Sequence, residues 1–523
     1  MQDKKWLWIL VLALLSMGAN FWNFPVYVLD EAKNAACAME MLQRNDWITP
    51  TFNGQLRTDK PPLHYFMMMG SYAAFGVSPF AARLFSVIMG LLTVLSVYFF
   101  TKRMEGERTA FFAGLTMVSS LYMIMQFHLA VPDPYFIFFL TLCWLSFGYA
   151  VQSRQVRFLY LSYAAMSLAF MAKGPAAVVL SGLIFLLFLL ARREFSWTTI
   201  KFLRPLSAIL IFLAIAGPWW IAVSIATDGE WVSGFIWGHN VNRFLAPYED
   251  HGSFPGTAIL LFLVALMPLS VYLPIACFRG WSERTSRPLI LLSLVAVAVV
   301  LVFFSISRTL LPNYVGPAVP FGAVLIGYAI DRHLQRYTVT SRRLKAITML
   351  VVLLFLALIP ILQTVIANDQ WISDMSELAL LFLPWPVGAA VAWWFFSRNN
   401  LRSGLIAYLL SFWLTGLLFF YVGVPRIMEQ NPVETSLPIV RSADREVIGY
   451  RFFNPAYIFS LQQTLVTFWT PEEVVNYSAG KRIMVLTRKE YEAELLPHGF
   501  KSVFEQPFLF EGHIAVILVF DPQ

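Results

Sequence analysis

Residues 29–64, LDEAKNAACAMEMLQRNDWITPTFNGQLRTDKPPLH, crowd ionisable side chains together in a chain that is otherwise built for lipid. Asp30 and Glu31 appear as soon as the first apolar run ends, and Lys33 follows one helical turn later. Asp59-Lys60-Pro61-Pro62 stands just before the next apolar run. Further polar groups return at intervals: Asp133 in FHLAVPDP, Lys173 in MAKGP, His239 in GHNVNRF, and Arg308 and Tyr314 in SISRTLLPNY. Carboxylates and cations gathered at a membrane surface suit work on a phosphate-linked lipid. Positive groups stabilise the oxygens of a departing phosphate, and a carboxylate positions or deprotonates an attacking hydroxyl. If the nucleophile is itself an ionised phosphate, no base is needed, and Asp30 would orient groups or tune the field.

Each of these residues also has a plainer reading. Asp30 reads equally well as the N-cap of a helix, and Asp59 as the cap of the helix after Pro61-Pro62. A histidine such as His239 commonly sits at an interface. Lys173 is harder to dismiss, because a lysine in a tight turn between two apolar runs is costly unless it meets an anion or a water-filled cavity.

The elements that must position these groups are membrane helices. The chain has 523 residues, 58% hydrophobic and 13% charged, about half the charged fraction of a soluble domain. Thirteen apolar runs, at 6–22, 81–101, 109–126, 134–151, 158–172, 175–191, 205–226, 257–278, 289–306, 314–331, 346–366, 377–396 and 403–423, are candidate spans. Lys4-Lys5 and the run after them lack a small-residue cleavage site and read as a retained first span. The loops sharing the N-terminal side are rich in Lys and Arg, so that side is expected to be cytoplasmic. The net charge of +7 gathers in those loops and does not call for nucleic acid. Loops 23–80 and 227–256 and the segment after 423 then face outward. Cys37, Cys143 and Cys277 match no metal spacing and read as small core residues.

In the first outer loop, Ala35, Ala36, Met39 and Leu42 recur at helical spacing, with Lys33, Glu40, Gln43 and Arg44 turned elsewhere. The pattern predicts a helix along the interface, then a tight turn at Asn53-Gly54 and a second interfacial helix after Pro62. Residues 1–423 form a transmembrane domain in this reading and 424–523 a small α/β domain outside the membrane. Its expected strands are Glu446–Tyr450, 465–470, 482–487 and His513–Phe520, with a capping box at Thr470-Pro471-Glu472-Glu473 and a helix at 489–496. It has no glycine-rich phosphate loop or nucleophile elbow, which points to substrate access or architecture, not chemistry. No internal repeat is visible.

The ordered set LDEAKNA, DWITPTFNGQLRTDKPPLHY, MAKGP, FIWGHNVNRF and SRTLLPNYVGPAVP resembles the polyprenyl-phosphate sugar transferases of the GT-C fold. Within that fold the set resembles the bacterial lipid A aminoarabinose transferases, relatives of the protein O-mannosyltransferases. The resemblance implies a polytopic α-helical fold, location in the bacterial inner membrane, and inverting transfer of an aminoarabinose-like pentose or a hexose from undecaprenyl phosphate to lipid A or another lipid or glycan. Membrane lipids are the remaining partner, and no nucleotide cofactor is implied. By motif, Asp30 and Asp133 match the acidic residues of the catalytic loops, and Lys33 stands where arginine is usual. Lys33, Lys60, Lys173, Tyr314 and Arg308 match positions that face the donor phosphate. Asp59 and His239 match residues that can hold a divalent metal (Zn, Mg or Mn), with Asp59 shorter than the customary Glu. Asn34 replaces a common Tyr, a departure that bears on the sugar. Transfer to a polypeptide hydroxyl and transport of a lipid-linked sugar are the competing readings; the absence of repeats and the one-sided charges weigh against a transporter.

Overall fold

In hydrocarbon a backbone must satisfy its own polar groups, so long apolar runs close into helices. The computed structural model describes residues 4–242, 256–307, 310–336, 342–369, 372–508 and 512–522. Among these, eight helices are long and apolar enough to cross a bilayer: Pro79–Glu105, Asp133–Ser153, Trp197–Ala226, Pro288–Ile306, Pro312–Arg336, Arg342–Ala367, Asp374–Ser397 and Leu401–Met428. The protein is therefore polytopic. Its outer helices keep large apolar side chains exposed, for instance Ile209, Leu213, Ile221 and Ile225, as lipid-facing positions should.

Two further apolar segments are bent. Glu107–Val118 and Leu121–Phe127 meet at 67°, and Thr257–Ala265 and Ser270–Ser282 at 115°. The breaks support each other. Ser120 Oγ accepts from Met123 N at 3.1 Å, capping the second half of its helix, and donates to Ala265 O at 2.6 Å, where the other helix ends. Irregular backbone is tolerated at membrane depth when it is buried in protein in this way.

Outside the bundle, helices Leu29–Gln43 and Leu63–Phe75 flank a two-residue hairpin, β1 (Thr51–Phe52) and β2 (Gln55–Leu56). Asn53 and Gly54 have φ of 51° and 75°, the paired positive values that suit such a turn. The first helix is buried over more of its surface than the sequence reading had it. Glu40 is buried, accepting from Thr51 Oγ1 at 2.7 Å and Asn53 N at 2.6 Å, and so holds the hairpin from beneath. Ala35, Ala38 and Met39 pack with Leu437, Tyr457, Ile458 and Met484 from the end of the chain.

That end builds a mixed sheet in the order β4-β3-β5-β7-β6, from β3 (Glu446–Tyr450), β4 (Thr467–Phe468), β5 (Ile483–Arg488), β6 (Lys501–Phe508) and β7 (His513–Phe520). β3 runs parallel to both β4 and β5, and β7 antiparallel to β5 and β6. The Thr470/Glu473 capping box forms as its spacing predicts. β6 was not expected: Pro507 and an irregular register at Ser502/Phe504 blur its alternation. Cys37 and Cys143 are buried, but Cys277 is exposed, so the core reading fails for that residue.

Candidate functional site

The Leu29–Gln43 helix starts after Val28, so Asp30 is inside its first turn and makes no capping bond. The cap expected of Asp30 is thus absent, and its carboxylate, half exposed, is turned with Lys33 toward a cavity. Glu31, one residue on, points the other way. It forms a fully buried bidentate pair with Arg83 at 2.7 and 2.8 Å, and Arg83 also donates to the carbonyls of Phe21, Phe24 and Pro25. Ala130 N donates to the same carboxylate at 2.9 Å, tying the second outer loop to the first.

Arg57, just past β2, is buried between Asp59 at 3.3 Å and Asp30 at 3.8 Å. It donates to Asn34 Oδ1 at 3.2 Å, an oxygen that also faces His64 Nε2 and Tyr65 OH. Asn34 is therefore a buried anchor for Arg57 and does not line the cavity. Asp59 does not cap the next helix, whose N-cap is Pro62 without a side-chain bond. It contacts His239 instead, Oδ1 to Nε2 at 3.0 Å. Burial acts to raise the Asp59 pKa, but the His239 hydrogen bond and the Arg57 charge outweigh it and hold the carboxyl well below its usual range. His239 reaches this position from a π-helical stretch, Gly234–Val241, that continues the seventh apolar run past Glu230–Ser233. Trp231 locks that stretch to the hairpin: its Nε1 donates to Arg57 O at 2.8 Å.

Asp133 opens the Asp133–Ser153 helix and is almost fully buried. Its Oδ1 accepts from Lys173 Nζ at 2.7 Å and from Asn313 Nδ2 at 2.8 Å. Lys173 is the last residue of Val156–Lys173, and Gly174 turns the chain at φ 78°. The ammonium lies 5.5 Å from the Tyr314 ring centre and 5.7 Å from that of Phe136, a cation–π setting.

One cavity of about 1930 Å³ collects these groups. Asp30, Lys33, Asp59, Lys60, Asp133, Lys173, His239 and Tyr314 all line it, together with apolar walls from Val179, Phe235, Phe303, Phe304 and Leu311. Arg308 lies outside the described residues. Asp59 and His239 do come together, but as a direct hydrogen bond that a bridging metal would have to part. Among the described residues no third His, Cys, Asp or Glu joins them, and the Arg57 and Lys60 charges oppose a dication. The pair does not fit a metal centre.

Sequence reasoning missed Arg57, Asn313 and the contribution of the far sheet, from which Arg451, Phe452, Trp469 and Arg488 reach the same cavity. Asn313 could have been found, since it lies within the LPNY motif. Arg57 looks like a solvated loop charge until its burial is known.

Bent apolar helices, buried loop helices and a terminal sheet over a charged cavity together make an architecture shared with solved membrane proteins of the GT-C fold. The structure superposes on ArnT from Cupriavidus metallidurans bound to undecaprenyl phosphate with a TM-score of 0.82 over 98% of both chains, at 20% identity. It also matches the archaeal oligosaccharyltransferase AglB from Archaeoglobus fulgidus, with a TM-score of 0.53 over 99% of this chain and 74% of that one, at 12% identity. In sequence, the undecaprenyl phosphate-alpha-4-amino-4-deoxy-L-arabinose arabinosyl transferase of Pseudomonas aeruginosa (strain UCBPP-PA14) is 29% identical over 440 residues, 82% of this chain and 77% of that protein. Residues 59–221 match the family described as dolichyl-phosphate-mannose-protein mannosyltransferase. The chain thus shares its fold with these structures and is similar in sequence to the aminoarabinose transferases.

Proposed function

We propose that the protein is an inverting glycosyltransferase of the bacterial inner membrane that moves a sugar, aminoarabinose-like, from undecaprenyl phosphate to lipid A or a related periplasmic acceptor. The observation that carries this reading is the meeting of Asp30, Lys33, Lys60 and Lys173 in one cavity with an apolar wall. The acceptor oxygen attacks the anomeric carbon as the bond from that carbon to the phosphate oxygen breaks, and undecaprenyl phosphate leaves with the bonding electrons. Lys33, Lys60 and Lys173 face the phosphate oxygens where negative charge grows, with Tyr314 holding Lys173 from the side. Asp30 orients the acceptor or takes its proton. Asp133, buried against Lys173, acts as a positioning residue. Asp59 and His239 work as a hydrogen-bonded pair that fixes Lys60 and Arg57, and elemental analysis of purified protein is expected to find no stoichiometric zinc, magnesium or manganese.

In this reading the chain crosses the bilayer thirteen times: the eight long helices, the two bent pairs, and the shorter Lys5–Met17, Val156–Lys173 and Ala176–Ala191. The N-terminus is cytoplasmic, and residues 424–523 form a periplasmic α/β domain. The test is release of undecaprenyl phosphate from the sugar-linked lipid by purified protein with lipid A present. Asp30→Asn should lower turnover by about 10²- to 10⁴-fold; full turnover in that variant would reject the assignment. Label running with polypeptide instead of lipid would move the acceptor class to protein hydroxyls, and movement between leaflets without bond cleavage would mean transport.

A further inference from the structure

The three parallel strands of the terminal sheet bring their carboxyl ends to one edge. From the end of β3 the chain departs to β4 on one side, and from the end of β5 it departs past β7 to β6 on the other. Two adjacent parallel strands with diverging connections leave a crevice at their carboxyl ends, the place where open α/β sheets take ligands. Arg451 and Phe452 follow β3, Arg488 ends β5, Trp469 follows β4, and all four line the large cavity.

Their side chains are held by stacking. The Arg451 guanidinium lies 5.0 Å from the Tyr491 ring centre, its Nε donates to Trp469 O at 3.3 Å, and its Nη2 pairs with Glu494 at 2.9 Å. Arg488 lies 5.3 Å from the Phe452 ring centre, with Glu490 at 3.7 Å. Phe452 and Trp469 meet edge to face at 5.4 Å, yet both stay about half exposed. Exposed aromatic faces beside planar guanidinium forks suit a sugar ring carrying a phosphate. In the transfer reading Lys33, Lys60 and Lys173 take the donor phosphate, which leaves the two arginines on the opposite wall for a second phosphate.

We propose that Arg451 and Arg488, with Phe452 and Trp469, form the subsite for a phosphorylated saccharide headgroup of the acceptor. This rests on the transfer reading and assigns the terminal sheet a recognition role. The test uses the full chain in detergent, varying lipid A and the sugar-linked undecaprenyl phosphate separately. Arg488→Ala and Trp469→Ala should each raise the KM for lipid A about tenfold, with kcat and the donor KM within about twofold of wild type. In direct binding, lipid A stripped of its phosphates should bind wild type about tenfold more weakly than intact lipid A, and Arg488→Ala should add little to that loss. Trp469→Ala removes an exposed ring and guards against a guanidinium variant that fails to fold. A rise in the donor KM with the lipid A KM unchanged would assign the phosphate to the donor and overturn the proposal. Should wild type transfer no sugar, the transfer reading falls by itself. Direct binding of lipid A then decides the subsite: weaker binding by Arg488→Ala supports it and equal binding rejects it.

Discussion

Glu31 and Arg83 stand 52 positions apart and form a fully buried ion pair. Removing one partner leaves an uncompensated charge, so Arg83→Ala should destabilise the protein by about 3–5 kcal/mol, read as a fall in thermal midpoint in detergent. Asp59 gives a pH signature. Its folded pKa lies below the ordinary 3.8, so its stabilising contribution is present above that value and is lost as pH falls toward the folded pKa. The thermal midpoint of wild type should therefore drop more steeply below about pH 4 than that of Asp59→Asn; parallel profiles would refute the assignment. Burial pushes the Cys37 thiol up to about 12, so a maleimide should label it in the native protein far more slowly than after denaturation. At this scale the sequence marked carboxylates and lysines that the fold brings to one cavity, because their motifs stand out against apolar neighbours. It did not show that Arg57 is a charge held between Asp30 and Asp59. Burial of a loop arginine depends on Trp231 and on Asn34, neither of which marks itself in the chain.

Among the elements, the turn after Val156–Lys173 is the most exacting. Gly174 has φ 78°, and a β-carbon there would stand 2.5 Å from the Phe235 ring. Gly174→Ala therefore strains the backbone and pushes the π-helical stretch away from Lys173. Turnover should fall about tenfold to a hundredfold with little loss of expressed protein, since small misplacements in a site cost rate before stability. The helices were legible because lipid demands uniform apolar runs. The π-helical stretch and the two breaks were not, because Ser120 and Ala265 acquire meaning only when they touch. β6 escaped for a related reason, its pattern being set by pairing with β7 more than by its own side chains.

At the level of the whole molecule, the cavity has two walls, and beside their apolar packing the hairpin tip ties them with a polar joint. Asn53 at the hairpin tip donates to Leu465 O at 2.8 Å and accepts from Leu465 N at 2.7 Å, extending the edge of the terminal sheet by one amide. Asn53→Ala should loosen the sheet from the membrane body, detected as faster proteolysis after residue 424 with the bundle intact, and a raised KM for lipid A. The sequence separated these two regions by composition alone and could not show that they share a site, since contacts across some four hundred positions leave no local trace.

The sheet strand between β5 and β6 is β7, made from residues 513–520. A ribosome thus makes the apolar helices between residues 79 and 428 before it supplies the strand on which that sheet closes. The newly inserted helices carry their lysines and carboxylates in an open basin until that strand is made, and the enclosing wall closes as a separate step after insertion.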